Sequence, residues 1–137
     1  MSGLDQLLRL QRWALDQKRR QAGDLELLID RLVQDIIKLD EAVGREIEAS
    51  RANVALQRAL PGYRQVMKGR RERLDKSLVD LRGELEKLRE QITEAFSELK
   101  KTEQTVKNRQ QRQRLAERRK DQAISDEVGL QLHRRKG

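Results

Sequence analysis

The chain has 137 residues, of which 39% are charged and 2% aromatic, and its formal net charge is +8. One Trp, one Tyr and one Phe cannot fill a broad multilayer core, and the bias to Leu, Glu, Lys, Arg and Gln is that of a coiled coil or long helix. The absence of cysteine excludes disulfide frameworks and thiolate metal sites, and no apolar run approaches the ~18 residues of a membrane span.

The N-terminus, Met1-Ser2-Gly3-Leu4-Asp5, enters a charged amphipathic pattern at once, without the apolar block and cleavage site of a signal peptide. This start predicts a cytoplasmic protein. Disorder is the rival for so charged a chain, and periodicity decides against it. With Leu4 at a heptad d position, the a and d positions through Val43 are Leu4, Leu8, Gln11, Leu15, Lys18, Ala22, Leu25, Ile29, Leu32, Ile36, Leu39 and Val43. Only Gln11 and Lys18 are polar, which is the sustained seam a supercoiled helix needs.

The phase weakens through Gly44, Ser50 and Asn53 and meets Leu60-Pro61-Gly62-Tyr63. Proline lacks an N–H, disfavours helix at the preceding residue and suits the first position of a new helix. The sequence therefore predicts a break here rather than one helix through Pro61. A second seam runs Leu74, Leu78, Leu81, Leu85, Leu88, Ile92, Ala95, Leu99, Thr102 and Val106, apolar at all positions but Thr102. Beyond Val106 the phase lands on Arg109, Gln113, Ala116, Lys120 and Ala123 while helix formers continue, so the second helix is expected to outrun its partner as a basic arm.

Two seams flanking one breaker predict an all-α fold, a long two-helix antiparallel coiled-coil hairpin. It forms a single domain over 1–137, with helix one at about 3–52, a turn within about 50–62, helix two at about 62–125 and a basic tail at 126–137. Two registers are open: Val43 facing Met67 with Leu4 facing Val106, or Val43 facing Leu74 with Leu4 facing Gln113. Arms of ~50 residues would each be ~75 Å long. A parallel homodimer of bent chains is the alternative packing.

Charge is unevenly placed. Residues 1–63 balance 10 basic against 10 acidic side chains, whereas residues 100–137 hold 12 and 5, a net +7. The C-terminal arm is thus the part that should seek an acidic partner. Nucleic acid is disfavoured, because no aromatics interleave with the cations for base stacking and no basic-region zipper is present.

No catalytic constellation is visible, and the chain reads as a non-enzyme without cofactor or metal. The single histidine, His133, cannot build a triad or a two-His metal site. Glycines never form a phosphate loop. Carboxylate pairs such as Glu84/Glu86 and Glu94/Glu98 read as solvated helix faces or i,i+4 partners. Trp13 falls at f, away from the seam, and is either a contact residue or a ring lying over Arg9 or Gln17. Tyr63, Val66 and Met67 follow the breaker and either cap the coil end or dock a partner. Phe96, at e, is expected to widen the core. Leu10, Leu27 and Ile37 fall off the seam and could serve an escort chaperone for secreted subunits.

The run Lys100-Lys101-Thr102-Glu103, then Arg118-Arg119-Lys120-Asp121-Gln122, Asp126-Glu127 and Arg134-Arg135-Lys136, resembles the FliJ family, stalk and general chaperone proteins of the flagellar type III export ATPase complex. Ala95-Phe96-Ser97-Glu98-Leu99-Lys100-Lys101 and Leu7-Leu8-Arg9-Leu10-Gln11-Arg12-Trp13 are similar to corresponding segments of that family. The specific part of the likeness is about forty C-terminal residues. The resemblance implies a cytoplasmic coiled coil, peripheral to the inner membrane at the flagellar base. It would sit in the centre of a hexameric export ATPase, promote ring formation, and link the ring to the membrane export gate and export chaperones.

Carried onto matching positions, the resemblance implies an ATPase-facing set of Trp13, Arg112, Arg114, Arg118, Arg119, Lys120, Asp121, Gln122, Asp126 and Glu127. The expected gate-facing set is Tyr63, Val66, Met67 and Arg70, where the sequence departs most from the family. A basic coiled-coil nucleic-acid-binding or helical adaptor protein is the alternative reading.

Overall fold

Ser2 starts the first helix. Its Oγ accepts a hydrogen bond from the Asp5 backbone N–H at 3.2 Å and donates to Asp5 Oδ2 at 3.0 Å, so a free N-terminal donor is satisfied and a carboxylate lies at the positive end of the helix. In the computed structural model, which describes residues 2–136, helix α1 spans Gly3–Ser50 and helix α2 spans Val54–Lys136. No strand occurs among the described residues, and the two helices pack on each other as an all-α hairpin. All twelve positions of the first predicted seam and all ten of the second are buried or half-buried.

The chain divides into two units, Leu15–Glu94 and Met1–Ala14 with Ala95–Gly137. In the first, Ala22 and Ile29 of α1 pack with Leu85 and Leu88 of α2, and Leu25, Val33, Leu78, Leu81 and Ile92 close around them. Burying a Leu or Ile contributes ~1.5–3 kcal/mol before chain entropy is counted, so this one seam carries the unit. Two ion pairs flank it, Arg89 to Glu26 at 3.3 Å and Arg71 to Asp40. Leu39, Val43 and Met67 line one cleft, and Leu39, Met67 and Leu74 another, so the pairing falls between the two expected registers.

The turn is Arg51-Ala52-Asn53, and no residue in it takes a positive φ. It lies inside the expected interval, but the helix boundaries differ from expectation. α1 ends at Ser50, α2 begins at Val54 rather than near 62, and α2 continues through Pro61. The cause is Asn53. Its Oδ1 accepts the Leu56 N–H at 3.2 Å and its carbonyl accepts the Gln57 N–H at 3.0 Å, making it an N-cap. Gln57 Nε2 in turn donates to the Arg51 carbonyl at 3.2 Å. Pro61 forfeits a single helical hydrogen bond on an exposed stretch where water can take the vacant carbonyl. Half-buried Leu56, Leu60 and Tyr63 hold the turns on either side.

The second unit pairs the start of α1 with the C-terminal part of α2. Leu99 and Thr102 are buried, and Arg12 approaches Glu103 at 3.7 Å. Leu4 shares a cleft with Val106, Arg109 and Gln113. From Lys107 onward every described residue is exposed, yet the helix persists to Lys136, beyond the expected end near 125 and through the expected tail. No Gly or Pro interrupts it before Gly129. Arg134, Arg135 and Lys136 sit in its last turn, where cations complement the negative helix end.

Candidate partner-binding surfaces

The arm beyond Val106 has lost its seam but not its helix. Arg112, Arg114, Arg118, Arg119, Lys120, Asp121, Gln122, Asp126 and Glu127 all lie on it and are all exposed. Residues 107–120 carry seven cations and one carboxylate, Glu117. At about 100° per residue, Lys107, Arg114 and Arg118 project from one side, while Arg109, Arg112, Arg119 and Lys120 project from the opposite side. None of these cations has an ion-pair partner among the described residues, so their field is directed outward. Further along, Gln122 Nε2 donates to Asp126 Oδ1 at 3.0 Å, and the charges balance.

Trp13 is 61% exposed, as its f position requires. It does not join the arm cluster. Its neighbour Arg12 is level with Glu103, nine residues before Arg112, and nine helical residues span ~13 Å. Trp13 instead forms an apolar patch on α1 with Leu10, also 61% exposed.

Tyr63, Val66, Met67 and Arg70 are not at the turn. Tyr63 lies ten residues after Asn53, ~15 Å along α2. Tyr63 and Met67 are half-buried in the packed face, and Met67 lines the cleft with Val43. Val66 and Arg70 are exposed. The four therefore form the flank of the hairpin rather than its end. Sequence reasoning displaced them because it began α2 at Pro61 instead of at the Asn53 cap.

Phe96 is 43% exposed, with Lys100 Nζ 5.1 Å from its ring centroid. It does not widen the core. A two-helix seam has no third wall at e, so the ring stays outside and takes a cation over its face. Leu10, Leu27 and Ile37 are likewise exposed, with no third element over them among the described residues.

The most organised charge cluster was absent from the sequence-derived set. Arg71 occupies a half-buried position three residues before Leu74, bonds Asp40 across the hairpin, and bonds Asp75 along its own helix. The hydrogen bond that the guanidinium donates to Asp40, followed by the one it donates to Asp75, holds it above its ordinary pKa. The signal that could have found it is the seam phase itself, which stepped back from Leu74 lands on Arg71.

Among the described residues no group of three or more His, Asp or Glu is placed to hold a metal ion, and no helix is long and apolar enough to cross a membrane. Fold and surface together define a class: an antiparallel coiled-coil hairpin with an exposed basic helical extension. Comparison with protein families, curated proteins and solved structures gave no match.

Proposed function

We propose that this chain is a stalk component of a flagellar type III protein export apparatus. In that role it binds the centre of a hexameric export ATPase, promotes ring assembly, and couples the ring to the membrane export gate and export chaperones. The reading rests on the resemblance of the C-terminal segment to the FliJ family. One observation carries it further: beyond Gln113 every described residue of the helix is exposed, and Arg114 and Arg118 project opposite Arg119 and Lys120. A flat acidic surface or a groove would engage one side of such a helix. A ring that encloses it engages both, with polar or acidic loops opposite the two rows. Trp13 and Leu10 offer a separate apolar contact. The cytoplasmic, membrane-peripheral location at the flagellar base follows from the same reading.

The test is ATP hydrolysis by the export ATPase of the same organism, with and without this protein, with ring assembly followed by sedimentation. Stimulation with more hexamer is expected, and Arg118→Ala with Arg119→Ala should abolish it. No effect on either quantity would overturn the stalk reading.

The seven cations in 107–120 also favour a second reading, a basic coiled coil that binds nucleic acid. It requires affinity that falls steeply with salt and shows little sequence preference. Failure to retard DNA or RNA at low salt would remove it.

A further inference from the structure

One side of the hairpin within Leu15–Glu94 sorts charge by helix. Stepping along α1 on that side from Glu26 to Gly44, Glu26, Asp30 and Asp40 alternate with Val33, Ile37 and Gly44, with no cation after Arg19. On α2 the same side carries Arg64, Lys68, Arg71, Arg82 and Arg89 against Glu72, Asp75 and Glu86, a net positive row. The cross-helix bonds Arg71 to Asp40 and Arg89 to Glu26 place both rows on one side, as do the clefts in which Asp40 meets Arg64 and Lys68, and Asp30 meets Arg82. The opposite side shows no such sorting: Asp35 and Lys38 share its α1 edge.

Two features of the sorted side are left over by the hairpin. Arg64, Lys68 and Arg82 on α2, and Asp30 on α1, make no ion pair among the described residues. Ile37 is 43% and Val79 69% exposed on the same side, which also holds open clefts lined in part by Leu39, Val43, Ile29 and Leu85.

We infer that this side is the interface with a second copy of the chain, forming a four-helix bundle over residues 26–89. A two-fold axis parallel to the helices lays α1 of one copy over α2 of the other without changing level. The acidic row then meets the basic row twice, once on each side of the axis. Asp30 of one copy faces Arg82 of the other, and Ile37 and Val79 move into the shared core. An acidic row and a basic row at matching levels on one surface are self-complementary, which is what an isologous interface demands. Four helices with a common apolar centre also remove the thinness of a single seam. The basic residues 107–120 take no part, so this inference stands apart from the proposed function.

The experiment is sedimentation equilibrium of the full chain over a concentration series, with helicity followed by circular dichroism. A species of twice the 16.1 kDa chain mass is expected to grow with concentration. Ile37→Glu should weaken dimerisation by at least about tenfold, and Leu10→Glu should leave it unchanged. Asp30→Arg should weaken it, and adding Arg82→Asp should restore it; this exchange tests the interface even if Ile37→Glu perturbs folding. Because the chain has no cysteine, Val33→Cys and Val79→Cys chains should form a mixed disulfide when combined, in excess of either alone. A monomer at every concentration overturns the inference. So does a dimer indifferent to both Ile37→Glu and Asp30→Arg, or one whose mixed cysteine chains fail to cross-link.

Discussion

Arg71 on α2 binds Asp40 on α1 while its Nε holds Asp75 Oδ2 at 3.2 Å, one turn further along its own helix. The guanidinium thus joins the two helices at a seam position where an apolar residue would ordinarily sit. Arg71 and Asp40 are 36% and 56% exposed, so water screens the pair and its main effect is on register rather than on gross stability.

Asp40→Arg is therefore expected to lower the melting temperature at low salt, and Asp40→Arg with Arg71→Asp to recover most of the loss. The difference should vanish near ~1 M salt, where the screening length is ~3 Å. Melting curves of the single and double variants at two ionic strengths check this.

Truncating the seam should cost far more than truncating the outer face. Ile29→Ala and Leu88→Ala, each at a site under a tenth exposed, are expected to lose ~2–4 kcal/mol. Leu10→Ala, at 61% exposure, should stay within ~0.5 kcal/mol. Urea unfolding of the three variants measures the contrast.

Gln11 sits in the first seam with its Oε1 buried and without a hydrogen-bond partner among the described residues. Such an acceptor forfeits ~1–3 kcal/mol of hydration. Gln11→Leu should stabilise the chain by about 1 kcal/mol or more, read as a higher urea midpoint with an unchanged slope.

The start of α2 sets a competition between a cap and a proline. Asn53→Ala removes the bond to Leu56 N–H and should lose ~1 kcal/mol. Pro61→Ala restores a helical donor inside α2 and should gain up to ~3 kcal/mol. A loss on Pro61→Ala would mean that the proline sets a bend the packing needs.

The arm should be the least protected part of α2. Every described residue over 107–136 is exposed, whereas Leu85 and Leu88 lie in the packed cluster. Helices without tertiary packing are marginal in water. Amide exchange over 107–136 should outpace that over 78–92 by at least about a hundredfold, a free-energy difference of ~2.8 kcal/mol.

Much of the hairpin was legible in the residues. A 3.5-residue spacing puts apolar side chains on one stripe of a helix, and that stripe must be buried wherever a partner exists. The end of the seam at Val106 was legible for the same reason. The interval of the turn was legible but the start of α2 was not, because Pro61 and Gly62 are louder signals than Asn53, although a side-chain oxygen bonding Leu56 N–H is what starts the helix. Phe96 misled because a heptad position records an angle, not whether a wall stands there. The basic arm was legible as charge, but the opposite placement of its cations requires a continuous helix to Lys136.

The sequence by itself determined two amphipathic helices, one unpaired basic extension, and the apolar stripes on which the helices meet, because periodicity and charge are properties of neighbours along a chain. Only the tertiary structure decided the register. Val43 shares a cleft with Met67, Leu74 shares one with Leu39 and Ala42, the turn closes at Arg51-Ala52-Asn53, and Arg71 finds Asp40. Those outcomes depend on how the whole seam fits at once: sliding one helix by a heptad keeps every stripe apolar and changes only which side chains stand level.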